Sequence, residues 1–157
     1  SWNVGGGRFE SAGRESGEAL FVHGVGRAAA YADFDGDGDL DVAMTTNNGA
    51  DLLLRNEGKS GNDWIRIQLS GGAENRDAIG ARVTLKAGPL TEARWLRSSS
   101  SYASQTERVL TFGLGPPRGG GAGGTVEVEV EVAWPDGKTQ KFPSLAPRKL
   151  HLLEKSP

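Results

Sequence analysis

Every second residue from position 33 to position 41 is an aspartate: Asp33, Asp35, Asp37, Asp39 and Asp41, with Gly36 and Gly38 set among them. Five ionised carboxylates so close together repel one another, so the segment needs a counter-charge. A hard divalent cation supplies one. Calcium takes roughly 6–8 oxygen ligands at about 2.3–2.6 Å, which suits short carboxylates on a curled backbone. Glycine provides the curl, because it adopts positive φ without a steric penalty. The spacing therefore predicts a Ca2+ loop with side-chain oxygens from Asp33, Asp35, Asp37 and Asp41 and a backbone carbonyl from Asp39. The first six residues of the loop also match the opening of an EF-hand, but its twelfth position is Met44 where that motif needs a bidentate Glu. Asp41, the ninth residue, is expected to close the site instead. The rival readings are a solvated acidic turn that binds nothing and a site for magnesium or manganese; magnesium prefers fewer protein ligands and more retained water.

The sequence around this loop argues against helices. The 157 residues include 24 glycines, and short Val-, Ile-, Leu- and Thr-rich runs lie between turn signals, a pattern of strands. Residues 28–32, 40–46 and 51–55 are expected strands around the acidic loop, and Asn47, Asn48 and Gly49 supply hairpin-turn chemistry between the last two. A polar, Gly-bearing stretch at 57–63 marks a boundary between residues 1–60 and 61–157. Beyond it the alternation sharpens, with strands expected at 64–69, 79–87, 93–97, 108–112, 139–142 and 150–153. The clearest runs over 125–134: Val126, Val128, Val130 and Val132 share one face and Glu127, Glu129 and Glu131 the other. That period of two marks a half-buried strand of an antiparallel sheet. Pro135, Asp136 and Gly137 then make a hairpin turn. Residues 118–124 form a Gly-rich loop. The fold expected is all-β: a partial β-propeller-type blade carrying the calcium hairpin, followed by an antiparallel β-sandwich of about seven short strands.

Charge and composition narrow the partners. The net charge is -2, which gives no electrostatic reason to expect nucleic acid. No apolar run reaches the ~18 residues of a membrane helix, so no membrane insertion is expected. The chain has no cysteine, so disulfides and thiolate metal sites are excluded. It opens on Ser1, with no signal-peptide pattern, and is expected to be a segment of a longer processed protein.

Two stretches resemble known families. Ala28, Ala29, Ala30, Tyr31 and Ala32, the aspartate loop, Leu40-Asp41-Val42, and Leu52-Leu53-Leu54-Arg55-Asn56 together resemble an FG-GAP or VCBS-type repeat. The resemblance implies one blade of an integrin-like β-propeller, with calcium in the hairpin. Asn3 and Gly5-Gly6-Gly7-Arg8-Phe9 look like the end of a preceding blade. Asn62-Asp63-Trp64, Gly71, the run Asn75-Arg76-Asp77-Ala78-Ile79-Gly80-Ala81-Arg82-Val83, Tyr102, Ser104-Gln105, Phe112-Gly113-Leu114-Gly115 and Trp134-Pro135-Asp136-Gly137 resemble an ASPIC/UnbV domain. That implies a secreted or cell-envelope location and a protein or glycan partner at the cell surface. The Gly-rich 118–124 stretch departs from the family's pattern.

The remaining polar and aromatic residues favour plain structural roles. Asn75, Arg76 and Asp77 suit a turn better than a ligand contact. Trp64, Trp95 and Trp134 are expected in packing between sheets rather than on a sugar platform. His23 and His151 lie in different regions, and no G-x-S-x-G turn accompanies the serines at 98–101. The function expected is a calcium-binding extracellular binding or adhesion module that is not an enzyme. The alternatives are a carbohydrate-binding module accessory to an enzyme outside this segment, which exposed aromatic rings would favour, and a metal-assisted hydrolase, which would need an open metal position beside a general base.

Overall fold

A computed structural model describes residues 2–11, 13–58, 61–117 and 127–157. Among them lie twelve strands and two short 3-10 turns at Arg14–Ser16 and Glu18–Phe21. The all-β expectation holds. The chain opens on a hairpin of β1 (Trp2–Gly5) and β2 (Arg8–Glu10), in the stretch that resembles the end of a preceding blade. A three-stranded antiparallel sheet follows, with β3 (Gly26–Ala32), β4 (Asp41–Thr46) and β5 (Leu52–Leu54) in that order. Asn48 takes φ 62° in the turn between β4 and β5, as its position in the Asn-Asn-Gly signal requires.

The later strands build two further sheets. One has the order β11 (Thr139–Leu145), β10 (Val128–Ala133), β7 (Arg82–Ala87) and β8 (Leu90–Trp95). The other has the order β12 (Leu150–Glu154), β6 (Asp63–Ser70) and β9 (Val109–Gly115). Their apolar faces share one buried cluster. Ile65, Ile67, Phe112 and Leu153 come from the second sheet, and Val83, Leu85, Val128, Val130 and Val132 from the first. The alternation of β10 sets this arrangement: its valines are fully buried while Glu129 and Glu131 lie on the outer face, both within reach of Lys141 at 3.8 and 3.6 Å. The expected first residues of that strand, at 125 and 126, and the Gly-rich 118–124 stretch lie outside the described residues.

Three expectations are corrected. The later strands are not wholly antiparallel, because β12 runs parallel to β6 from Leu150↔Arg66 to Glu154↔Ser70. After β11 the chain crosses to the other sheet and enters at the end where β6 begins. There the Arg148 amide donates to the Trp64 carbonyl at 2.6 Å and its guanidinium pairs with Asp63 at 2.7 Å. The strand expected from residue 79 starts at Arg82, because Asn75 holds Ile79 in a turn: its side-chain amide donates to the Ile79 carbonyl at 2.9 Å and its oxygen accepts the Ile79 amide at 3.1 Å. That same pair of bonds gives Asn75 the turn role its residue type suggested. The third correction concerns the tryptophans. Trp134 is buried at 3% exposure, but Trp95 is 55% exposed. It sits opposite Arg82 on edge strand β8, with the Arg82 guanidinium 5.9 Å from its ring centroid.

Candidate metal centre

The aspartate loop spans the gap between β3 and β4, whose last ladder pair, Ala32↔Asp41, brings its two ends side by side. Gly36 (φ +79°) and Gly38 (φ +96°) take the left-handed backbone that reverses the chain within a few residues. The curl is then held by the aspartates themselves. Asp33, whose carboxylate is fully buried, accepts the Gly36 amide at 2.7 Å on one oxygen and the Gly38 amide at 3.0 Å on the other. Asp35 accepts the Asp37 amide at 3.3 Å, and Asp37 accepts the Asp39 amide at 2.9 Å. Such local side-chain-to-backbone bonds are what makes Asp a loop former.

The result brings three of the five expected ligands together. Asp33, Asp35 and Asp37 each offer a carboxylate oxygen, and these lie within 4.8 Å of one another. Such a set of hard oxygen donors fits calcium chemistry. Asp39 and Asp41 are not in that group. The Asp41 carboxylate, at 2% exposure for the residue, accepts the Phe34 amide at 3.2 Å and the Asn56 amide at 2.8 Å. It thereby clamps the entry of the loop to the chain that leaves β5. A carboxylate oxygen has more than one acceptor site, so these bonds leave lone pairs for a cation. The Asp39 carboxyl is pushed above its ordinary value, first by burial and then by the charges of Asp37, Asp33, Asp41 and Asp35. Mutual repulsion is thus a physical feature of the folded loop.

Cations from the protein already touch two of the aspartates. Arg55 pairs with Asp35 at 2.8 Å on the outside. On the inside Arg66, from β6, pairs with Asp33 at 3.0 Å and with Glu107. The Trp64 ring covers Gly38 so closely that a Cβ there would fall 2.2 Å from it. Sequence reasoning missed Arg55, Arg66 and Glu107 as parts of this site. Only their distance along the chain from the loop hides them, and no local pattern announces the contact. The histidines stay apart from it: His23 is exposed, and the His151 ring bonds the Ala146 carbonyl at 2.8 Å.

Comparison with known proteins completes the picture. Residues 71–157 match the family described as ASPIC and UnbV, and the chain belongs to that family. It is also similar to cartilage acidic protein 1 of three vertebrates. It is 35% identical over 127 residues to those of Xenopus tropicalis and Homo sapiens, and 34% identical over 128 residues to that of Mus musculus. These alignments cover 78% of this chain but 18% of each relative. Neither the family's description nor the relatives' name carries a catalytic activity. Among the described residues no helix is long and apolar enough to cross a membrane.

Proposed function

We propose that this chain is a calcium-stabilised interaction module of an exported protein, without catalytic activity of its own. Asp33, Asp35 and Asp37 would bind the ion through side-chain oxygens, Asp39 through its carbonyl, and Asp41 would close the shell. The observation that carries this reading is the convergence of three carboxylate oxygens, from Asp33, Asp35 and Asp37, within 4.8 Å of one another. Residues 1–60 would be an FG-GAP or VCBS-type repeat, one blade of a larger propeller, and residues 61–157 the ASPIC/UnbV unit. The exposure of Phe9, Leu20, Val25, Tyr31 and Leu53 in the first part supports this, since a blade buries such residues against neighbouring blades. The relatives' name refers to cartilage, which supports an extracellular setting and a protein partner.

Calorimetric titration of the metal-stripped chain tests the proposal. One site is expected. Asp37→Ala is the clean variant, because among the described residues the Asp37 side chain bonds only the Asp39 amide, and it should weaken binding strongly. Asp37→Ala with Asp41→Ala should abolish it. An unchanged titration in the double variant would remove calcium from this loop.

A second reading, recognition of a saccharide, is favoured by one observation. Trp95 and Tyr31, both substantially exposed, line one groove of about 480 Å³ together with Arg97, Ser99 and Thr106. Exposed rings beside hydroxyls and a guanidinium suit the apolar faces and hydroxyl edges of sugars. Tryptophan fluorescence titrated with a panel of oligosaccharides, compared with Trp95→Ala, tests it; a panel without any response leaves the protein-partner reading alone.

A further inference from the structure

Arg66 does an unusual job for a strand residue. It is 7% exposed, and its guanidinium forks between two carboxylates from distant parts of the chain, Asp33 at 3.0 Å and Glu107. Glu107 in turn accepts the Asp33 amide at 3.3 Å, and its own amide donates to the Tyr31 carbonyl at 3.3 Å. Ser104 Oγ accepts the Ala29 amide at 3.1 Å. The Trp64 ring lies on Gly38. Side chains of β6 and of the segment before β9 thus grip the first aspartate of the loop and the strand leading into it.

The charges explain why both members of the pair are needed. An arginine alone beside Asp33 would cancel the charge a cation uses. Glu107 answers the Arg66 charge, so Asp33, Arg66 and Glu107 together retain one negative charge. Arg66 also occupies one Asp33 oxygen and, with the glycine amides, fixes the carboxylate's orientation. Groups that hold a ligand in this way commonly change metal affinity by about 10–100-fold when removed.

We propose that Arg66 and Glu107 are positioning residues for the calcium loop, so that residues beyond position 60 set the loop's affinity and calcium in turn fastens the two parts together. The second half follows from linkage, since a coupling between two equilibria acts equally in both directions. The inference rests on calcium binding at the loop and goes beyond it by naming residues outside the repeat.

The experiment is a calcium titration of the full chain as wild type, Glu107→Gln and Arg66→Lys, with amide exchange measured on the wild type with calcium and with chelator. Glu107→Gln leaves the guanidinium charge unanswered beside the loop. Arg66→Lys replaces a rigid planar fork with a single ammonium on a flexible stem, which keeps the charge but loses the fixed two-carboxylate geometry. Each should bind calcium about tenfold or more weakly, while core amides such as Val130 keep their protection. In the wild type, calcium should slow exchange about tenfold at Ala29 and Glu107, whose amides cross between the two parts, as well as within the loop. Affinities within twofold of wild type in both variants would overturn the proposal, and so would slowing confined to residues 36–39. Should a variant fail to fold, the wild-type exchange pattern decides alone. A wild type that takes up no calcium removes the calcium reading itself, a result distinct from binding that ignores Arg66 and Glu107.

Discussion

At Gly38 two demands fall on one residue. Its φ of +96° lies where a side chain is strained, and a Cβ would collide with the Trp64 ring. Gly36 shares the first demand at φ +79° but faces open space. Comparing Gly36→Ala with Gly38→Ala therefore separates backbone strain from the contact. The strain costs about 1–2 kcal/mol at either position. Gly38→Ala should cost a further ~1–3 kcal/mol for overpacking, since the added Cβ would fall 2.2 Å from the ring carried by β6. Urea denaturation with chelator present measures both. Equal losses would mean that the ring moves aside freely and that the loop is not anchored at Trp64.

Strand β10 shows how much of an element its own sequence specifies. Period two forces Val128, Val130 and Val132 into one environment, and that environment is the core. Val130→Asp should destabilise by roughly 3–5 kcal/mol, the cost of an uncompensated buried charge. Glu129→Gln, on the outer face, should stay within about 0.5 kcal/mol. Glu129→Lys would do worse than Gln, because residue 129 pairs directly with Lys86 and lies 3.8 Å from Lys141, and like charges opposite one another repel. A larger loss in Glu129→Gln than in Val130→Asp, by thermal unfolding, would invert the faces. Such local rules made most strands after residue 27, the Asn48 and Gly137 turns and the acidic loop readable in advance. They could not show that β12 joins β6 in parallel, since pairing partners depend on where the chain crosses between sheets. Nor could they expose Trp95, whose edge position follows from the order of strands. The Arg66–Glu107 clasp was hidden for the same reason: Arg66 alternates with Ile65 and Ile67 like any outward residue, and only the docked β3 end turns that outer face into an interior.

Across the whole molecule, apolar burial is one-sided. Every member of the core cluster lies at Ile65 or later. Among the described residues before it, the fully buried positions are Asp33, Gly38 and Asp41, all in the acidic loop. The β3–β4–β5 sheet therefore has no apolar core of its own, and a small sheet with one polar buried centre is marginal in water. Its order comes from the loop's hydrogen bonds and from docking on Trp64, Arg66 and Glu107, and the proposed calcium would add to both. The two parts should consequently differ when separated. A chain starting at residue 61 keeps the entire core and should unfold cooperatively, losing the Asp33 partner of Arg66, the Tyr31 carbonyl bound by the Glu107 amide and the Gly38 cover on Trp64, so that Arg66, the Glu107 amide and the Trp64 ring become accessible to water. A chain ending at residue 60 should show no cooperative transition under chelator. Calcium would stabilise it only if a folded form exists to bind, by RT ln(1 + [L]/Kd), or about 2.7 kcal/mol at a hundredfold excess over Kd. Circular dichroism of the two fragments with and without calcium checks this. A cooperative transition in the first fragment under chelator would show that its sheet stands without help from residues 61–157, and the docking contacts would then be incidental to its stability.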